Sequence, residues 1–295
     1  MVQRQLYHEP GPLAQIGQLW IVESMPPGEL RAGENLCDAM AGILHTAALS
    51  LPVIFRKPTS ATELLAILDE LHADVIATGR SPILDIECHG NQEGLGMADG
   101  SFVTWERVKP KLEAINLACR FNLILLLGCC HGGYFASTTR LHERSAFCAY
   151  VGPTESVAAG SLYDGFLAFY QSLFKDRDLT TAMQAMRAAV PGIPTIAATA
   201  MGFFRLAFAS YIRNWNNEKT LLKRAKAIRE KGRREKSIQE WSHELKERTR
   251  PEFERCRRIY FAIDLFPEND ARYALNFEIA QSDAAKPDRA GVDAY

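Results

Sequence analysis

Short apolar runs recur at intervals along the first half of the chain. They lie at residues 18–23, 52–56, 83–88, 122–127 and 146–152. Continuous apolar runs of this length are typical of strands that are buried on both faces of a sheet. The pattern therefore predicts a core of mainly parallel strands.

The segments between these runs carry apolar residues at helical spacing. They are residues 34–48, 62–71, 108–117 and 162–174. Strands that alternate with helices indicate βαβ units, and hence a three-layer α/β/α sandwich with a mainly parallel sheet. One segment departs from this alternation. At residues 94–105, Asp99-Gly100 separates two short alternating runs, which predicts a β-hairpin after the third strand.

The composition changes after residue 212. Residues 213–258 contain 16 Lys and Arg against 8 Glu, an excess of 8 positive charges, and their apolar residues fall on one helical stripe. This segment predicts a basic helical extension. Residues 259–266 and 273–279 flank a turn and predict a terminal β-hairpin. The expected domains are thus residues 1–212 and 213–295.

Composition restricts the class of protein only loosely. The chain has 295 residues, 47% of them apolar, and a net charge of −1, so charge gives the whole chain no affinity for nucleic acid or membranes. No apolar run approaches the roughly 20 residues of a membrane span. Residues 1–11 are polar, and the cysteines number seven. Reduced thiols, a cytoplasmic location and no cofactor are expected.

Reactive side chains follow two of the predicted strands. The third strand runs into residues 87–90 (Glu-Cys-His-Gly), and the fourth into residues 128–133 (Gly-Cys-Cys-His-Gly-Gly). Ligands bind beyond the carboxyl ends of strands in an open α/β sheet, so His89 is expected to meet a cysteine there. An imidazole generates the attacking thiolate and later protonates a leaving amine. The N–H groups of Gly90 and Cys130 are the candidates for an oxyanion hole.

These features together resemble the caspase-like peptidases of clan CD. The shared order is a strand ending in His-Gly, a hairpin, a helix, and an apolar strand ending in small-Cys-x-x-Gly. Residues 130–133 are similar to the Cys-His-Ser-Gly run of metacaspases, and residues 150–189 resemble the end of bacterial CHAT domains. The resemblance covers residues 15–210. It implies a caspase-like sandwich that hydrolyses peptide bonds, with Cys130 as nucleophile and His89 as general acid and base.

The choice of nucleophile and the substrate preference follow from the same resemblance. Cys130 is favoured over Cys129 because Cys129 occupies the position of the family's small residue. Metacaspases often carry an Asp two residues before the nucleophile, and this Asp receives a basic P1 side chain, but Gly128 stands there. A basic P1 residue would need another carboxylate in the S1 pocket. The candidates for it are Asp85, Glu155 and Asp164.

Two other classes of function stay open. The first is a zinc site, since side chains that can bind zinc cluster at the two strand ends; they are Cys88, His89, Cys129, Cys130 and His131. Neighbouring residues seldom point at one ion, which counts against it. The second is an inactive caspase-like binding module. Its basic residues 213–258 would then contact nucleic acid or an acidic partner.

The extension beyond the resembling part suggests regulation. We expect protein or peptide substrates and an activating ligand or partner. By analogy with bacterial CHAT proteins, the chain could be an effector of a stress or antiviral response.

Overall fold

Residues 16–276 are described by the computed structural model of the chain, and a mixed sheet crosses them. Its strands are β1 (Ile16–Ser24), β2 (Val53–Arg56), β3 (Ser81–Asn91), β4 (Gly94–Gly96), β5 (Phe102–Thr104), β6 (Ile124–Gly128), β7 (Ala149–Pro153) and β8 (Thr195–Thr199). The main strands follow the order β2-β1-β3-β6-β7-β8. All pair in parallel except β7 with β8, which are antiparallel.

The five predicted strands and the predicted hairpin are confirmed. The hairpin is formed by β4 and β5, and β4 pairs antiparallel with the last residues of β3. β8 was not predicted, because its five half-buried residues include two Thr and two Ala and no long apolar run. Alternation of small and polar residues at a sheet edge gives little hydrophobic signal.

Helices cover both faces of the sheet. They are α1 (Ala32–Thr46), α2 (Ala61–Thr78), α3 (Trp105–Ala118), α4 (Ala159–Asp176) and α5 (Leu179–Ala189). α1, α4 and α5 share one apolar core with alternate residues of the sheet, among them Ile83 and Leu126. α2 and α3 pack together on the other face, where Leu84 and Leu125 are buried. The predicted three-layer α/β/α fold is therefore confirmed.

Local signals set the limits of these helices, as α2 illustrates. The Ser60 hydroxyl accepts a hydrogen bond from the Glu63 N–H and caps the first turn. Gly79, in the left-handed region at φ 67°, ends the helix. The buried face between these ends consists of residues three or four apart: Ala61, Leu64, Leu68, Leu71 and Val75.

Residues 201–276, together with 140–144, form a second compact unit. It contains most of α6 (Ala200–Trp215), then α7 (Glu218–Glu230), α8 (Ile238–Glu247), α9 (Thr249–Tyr260) and α10 (Asn269–Arg272). The expected division after residue 212 falls inside α6. That helix belongs with the second unit because Phe204 and Phe208 pack edge-on against Phe253. The basic extension is helical, as its pattern predicts.

The predicted terminal β-hairpin is wrong over its described residues. α9 continues to Tyr260, and turns rather than a strand follow it as far as residue 265. The apolar run is buried by aromatic packing instead of strand pairing: Phe261 stacks on Tyr273 with ring centroids 4.3 Å apart. Ala262, at φ 51°, turns the chain at this point. Residues 277–279 of the predicted second strand lie outside the described residues.

Candidate functional site

The carboxyl ends of β3 and β6 lie side by side. Their parallel register pairs Glu87 with Gly128. Two further steps along each chain reach His89 and Cys130. A Cβ atom on Gly90 would lie 2.6 Å from the Cys130 carbonyl oxygen, so only glycine allows β3 to pass this closely. The structure thus brings the His-Gly and Cys-Cys segments together, at the edge where the sequence predicts them to meet.

The His89 imidazole is held by a residue that sequence reasoning missed. Its Nε2 atom lies 3.0 Å from Oε2 of Glu29, in the loop that follows β1. The side chain of His89 is 51% exposed. A carboxylate that accepts the Nε2 proton fixes the ring tautomer and leaves the Nδ1 lone pair available as a base. The signal in the sequence was weak: a Pro-Pro-Gly turn places Glu29 just beyond a neighbouring strand end.

The Cys130 thiol is half-buried under the loop between β7 and α4. Its Sγ accepts a hydrogen bond from the Val157 N–H at 3.4 Å and lies 3.7 Å from the Val157 carbonyl oxygen. Among the residues that the structure describes, His89 and Cys130 share no hydrogen bond. The imidazole is engaged by Glu29 and the thiol by Val157, so the two groups are neighbours without being paired.

His131 ties the covering loop to the turn that carries Cys130. Its backbone N–H donates to the Glu155 carbonyl at 3.1 Å. Its ring nitrogens lie 3.2 Å from the Thr154 carbonyl and 3.3 Å from the Ser156 hydroxyl. His131 itself is in the left-handed region, at φ 58°. The expected local hydrogen bonding of this histidine is therefore present, and it restrains the loop over the thiol.

Cys129 differs from Cys130 in exposure and in its surroundings. It is fully buried, and a hydrogen bond with the Cys88 thiol, together with burial, raises its pKa well above the usual value. A thiol that stays protonated is a poor nucleophile. This environment favours Cys130 as the reactive one of the pair.

The three predicted S1 carboxylates do not come together. Asp85 is fully buried, and its Oδ2 accepts a hydrogen bond of 2.7 Å from the Tyr170 hydroxyl. Glu155 and Asp164 are exposed, the first on the covering loop and the second on α4. Of these, Asp85 is the one that belongs to the sheet beneath the candidate site. Its role in substrate binding stays a prediction.

A row of buried carboxyl groups lies beneath the strand ends. Glu23 on β1 pairs in register with Glu87 on β3, and Asp85 lies on the same face two residues earlier. All three are at most 3% exposed. Burial raises the pKa of Asp85 to about 7, and burial followed by the proximity of Asp85 raises that of Glu87 well above its usual value. Burial also raises the pKa of Glu23, although the N–H groups of α1 oppose this shift.

The alternative sites were a metal centre and a basic interface. In the described part of the chain, no three His, Cys, Asp or Glu side chains are placed to hold one metal ion. Several arginines and lysines of the second unit are paired with its own acids. These pairs include Arg233–Glu235, Lys236–Glu244, Arg248–Glu244, Arg255–Glu252 and Arg257–Glu254. Such pairing reduces the positive charge that a nucleic acid would meet.

Fold and site together define a three-layer α/β protein with a thiol and an imidazole at the carboxyl edge of a mostly parallel sheet. This arrangement fits the caspase-like fold that the sequence resemblance implies. No helix between residues 16 and 276 is long and apolar enough to cross a membrane.

Comparison with known proteins gives one distant likeness. The chain matches no family model and no curated protein. Among solved structures it is similar to the complex of the pro- and mature domains of Porphyromonas gingivalis RgpB, with 17% sequence identity and a TM-score of 0.39. The match covers 61% of this chain, which spans 43% of the RgpB chain.

Thiol reactivity should distinguish the two adjacent cysteines. We expect iodoacetamide to modify Cys130 of the folded protein at least about tenfold faster than Cys129 or Cys88, because both of the latter are buried. Peptide mass spectrometry after timed quenching measures the three rates. Complete modification in denaturant is the control for peptide recovery. Faster labelling of Cys129 would contradict the assignment.

The buried Asp85 should make stability fall as pH rises. In an unfolded chain this carboxyl ionises near pH 4, whereas in the fold its pKa is about 7. The folded state therefore holds the additional proton between these values, and the free energy of unfolding declines from about pH 4 to pH 7. Asp85→Asn, which keeps an acceptor for Tyr170, should flatten this slope in urea unfolding experiments. The exposed Asp38→Asn should keep it, and an unchanged slope in Asp85→Asn would refute the assignment.

Proposed function

We propose that the chain is a cysteine endopeptidase of the caspase-like kind, with Cys130 as nucleophile and His89 as general acid and base. The observation that carries this proposal is the junction of β3 and β6. There, Gly90 lies against the Cys130 main chain and Glu29 holds the neighbouring imidazole. A thiol, a fixed imidazole and adjacent backbone N–H groups are the set that acyl transfer needs.

The reaction follows from the groups at this edge. Nδ1 of His89 accepts the thiol proton, and the Cys130 thiolate attacks the carbonyl carbon of the substrate. The N–H groups of Gly90 and Cys130 stabilise the oxyanion. The imidazolium then protonates the departing amine, which leaves a thioester on Cys130. Water, deprotonated by the same imidazole, hydrolyses the thioester and restores the thiol.

The contacts in the resting structure support a regulated enzyme. Val157 engages the thiol, and the covering loop is tied down through His131. Substrate can reach Cys130 only after this loop moves, and His89 must then turn its Nδ1 toward the sulfur. A ligand or partner protein that binds the open arrangement would activate the chain. Such control suits an effector of stress or antiviral defence, a role for which the resemblance to CHAT domains is the motive.

Turnover tests the proposal directly. We expect cleavage of fluorogenic peptides by the wild-type protein, abolition by Cys130→Ala, and a loss of about 10²–10⁴-fold in His89→Ala. Cys129→Ala is the matched control and should retain activity. Turnover that survives in Cys130→Ala would refute the assignment of the nucleophile. Full-rate cleavage with nothing added, unchanged by any ligand or partner, would refute the regulatory part alone.

Glu29 should act on the rate through His89 and leave substrate binding alone. We expect Glu29→Gln to lower kcat about 10-fold with KM nearly unchanged, because the carboxylate orients the base without touching substrate. Glu29→Asp should restore part of the rate. Glu93→Gln, a change of an exposed carboxylate on the neighbouring β3–β4 turn, is the control. A change in KM alone would show that Glu29 contacts substrate instead.

A further inference from the structure

Position 128, two residues before Cys130, has a neighbour that occupies its side-chain space. A Cβ atom built on Gly128 would lie 2.2 Å from the carboxyl carbon and from both oxygens of Glu87. The Glu87 carboxyl group therefore fills the space beside β6 that a side chain of residue 128 would take. Glycine at this position is required by that contact, not by backbone conformation.

The Glu87 carboxyl is buried without full hydrogen bonding. Glu23 next to it is bonded, since its Oε1 accepts from the N–H groups of Gly33 and Glu34 at 2.8 and 3.3 Å. Asp85 accepts from Tyr170 through one oxygen. Oε1 of Glu87 and Oδ1 of Asp85 have no partner among the described residues. Both oxygens are acceptors that lack a donor.

A buried pair of carboxyl groups is stabilised most by a cation that brings hydrogen-bond donors. In the free protein, desolvation favours the protonated acids. A guanidinium or ammonium group placed against Glu87 would reverse this preference, because it supplies the missing donors and the compensating charge. The observations thus define a site that lacks a positively charged ligand.

The distance from the nucleophile limits what that ligand can be. Two residues of extended chain, at most about 7 Å, separate the Cα atoms of Cys130 and Gly128. A peptide whose carbonyl lies at Cys130 can reach Glu87 with a long P1 side chain, and a short one would stop before it. Lysine and arginine combine the required length and charge.

We propose that Glu87 determines substrate specificity by binding the positively charged side chain of a P1 Arg or Lys, with Asp85 and Glu23 behind it. This inference rests on the proposed peptidase function and names its substrate class. It also replaces two of the sequence-based S1 candidates, the exposed Glu155 and Asp164, with a residue of β3. Opening of the loop over Cys130 admits the side chain.

The test compares peptide acyloxymethyl ketones that are identical except at P1, and it reads covalent labelling of Cys130 by mass spectrometry. The P1 residues are arginine, its uncharged isostere citrulline, and aspartate. We expect the arginine probe to label wild-type Cys130 at least about 30-fold faster than the citrulline probe. Glu87→Gln should reduce this ratio to within a few-fold. The exposed Asp164→Asn should leave the ratio unchanged.

Each outcome separates this inference from the function on which it rests. Equal labelling by the arginine and citrulline probes, or preference for aspartate, would overturn the assignment of Glu87 and leave the peptidase intact. Labelling by none of the three probes would overturn both proposals. The wild-type comparison decides the P1 preference even if Glu87→Gln does not fold, and the circular dichroism spectrum of each variant reports folding independently.

Discussion

The candidate site depends on the parallel register between β3 and β6. Because side chains alternate along a strand, the pairing of Glu87 with Gly128 fixes which residues face the α1 and α4 layer and which reach the sheet edge. A slip of one residue would exchange those two sets. Glycine maintains this register at two points. Gly90 admits the Cys130 carbonyl, and Gly128 admits the Glu87 carboxyl.

The carboxyl groups under the strand ends are the least stable part of this fold. Buried acids without complete hydrogen bonding oppose folding, and the surrounding structure offsets only some of that cost. The N-terminus of α1 satisfies Glu23, and the Tyr170 hydroxyl satisfies one oxygen of Asp85. Nothing comparable serves Glu87 among the described residues. Proteins depart from such packing rules mainly at functional sites, and this departure lies directly beneath the proposed nucleophile.

The sequence predicts the sheet and its reactive edge because both depend on local patterns. Apolar runs identify five of the main strands, and the residues that follow β3 and β6 carry the thiol and the imidazole. Contacts between elements distant in sequence were not accessible in the same way. Glu29 reaches His89 from a different strand end, and Glu87 fills space beside Gly128. Substituting Gly for the family's Asp at position 128 seemed to remove a carboxylate, yet the neighbouring strand supplies one there.

The errors near the C-terminus have a related cause. Residues 259–266 have the composition of a strand, but no partner strand is present among the described residues of that unit. The same apolar side chains are buried by ring stacking after a helix end, as Phe261 on Tyr273 shows. Apolar composition indicates burial in both cases. It does not distinguish a short strand from the last turn of a helix, so the tertiary partner decides.

The loop over Cys130 sets a scale for regulation. Three hydrogen bonds join His131 to residues 154–156, and each contributes about 0.5–1.5 kcal/mol net. Their sum, roughly 2–5 kcal/mol, corresponds to an open population between a few per cent and less than one in a thousand. An activator needs only a comparable difference in affinity between the closed and open arrangements to reverse that balance. One bound ligand or one docked partner supplies this, so a latent peptidase on this scaffold requires no larger rearrangement than the release of a short loop.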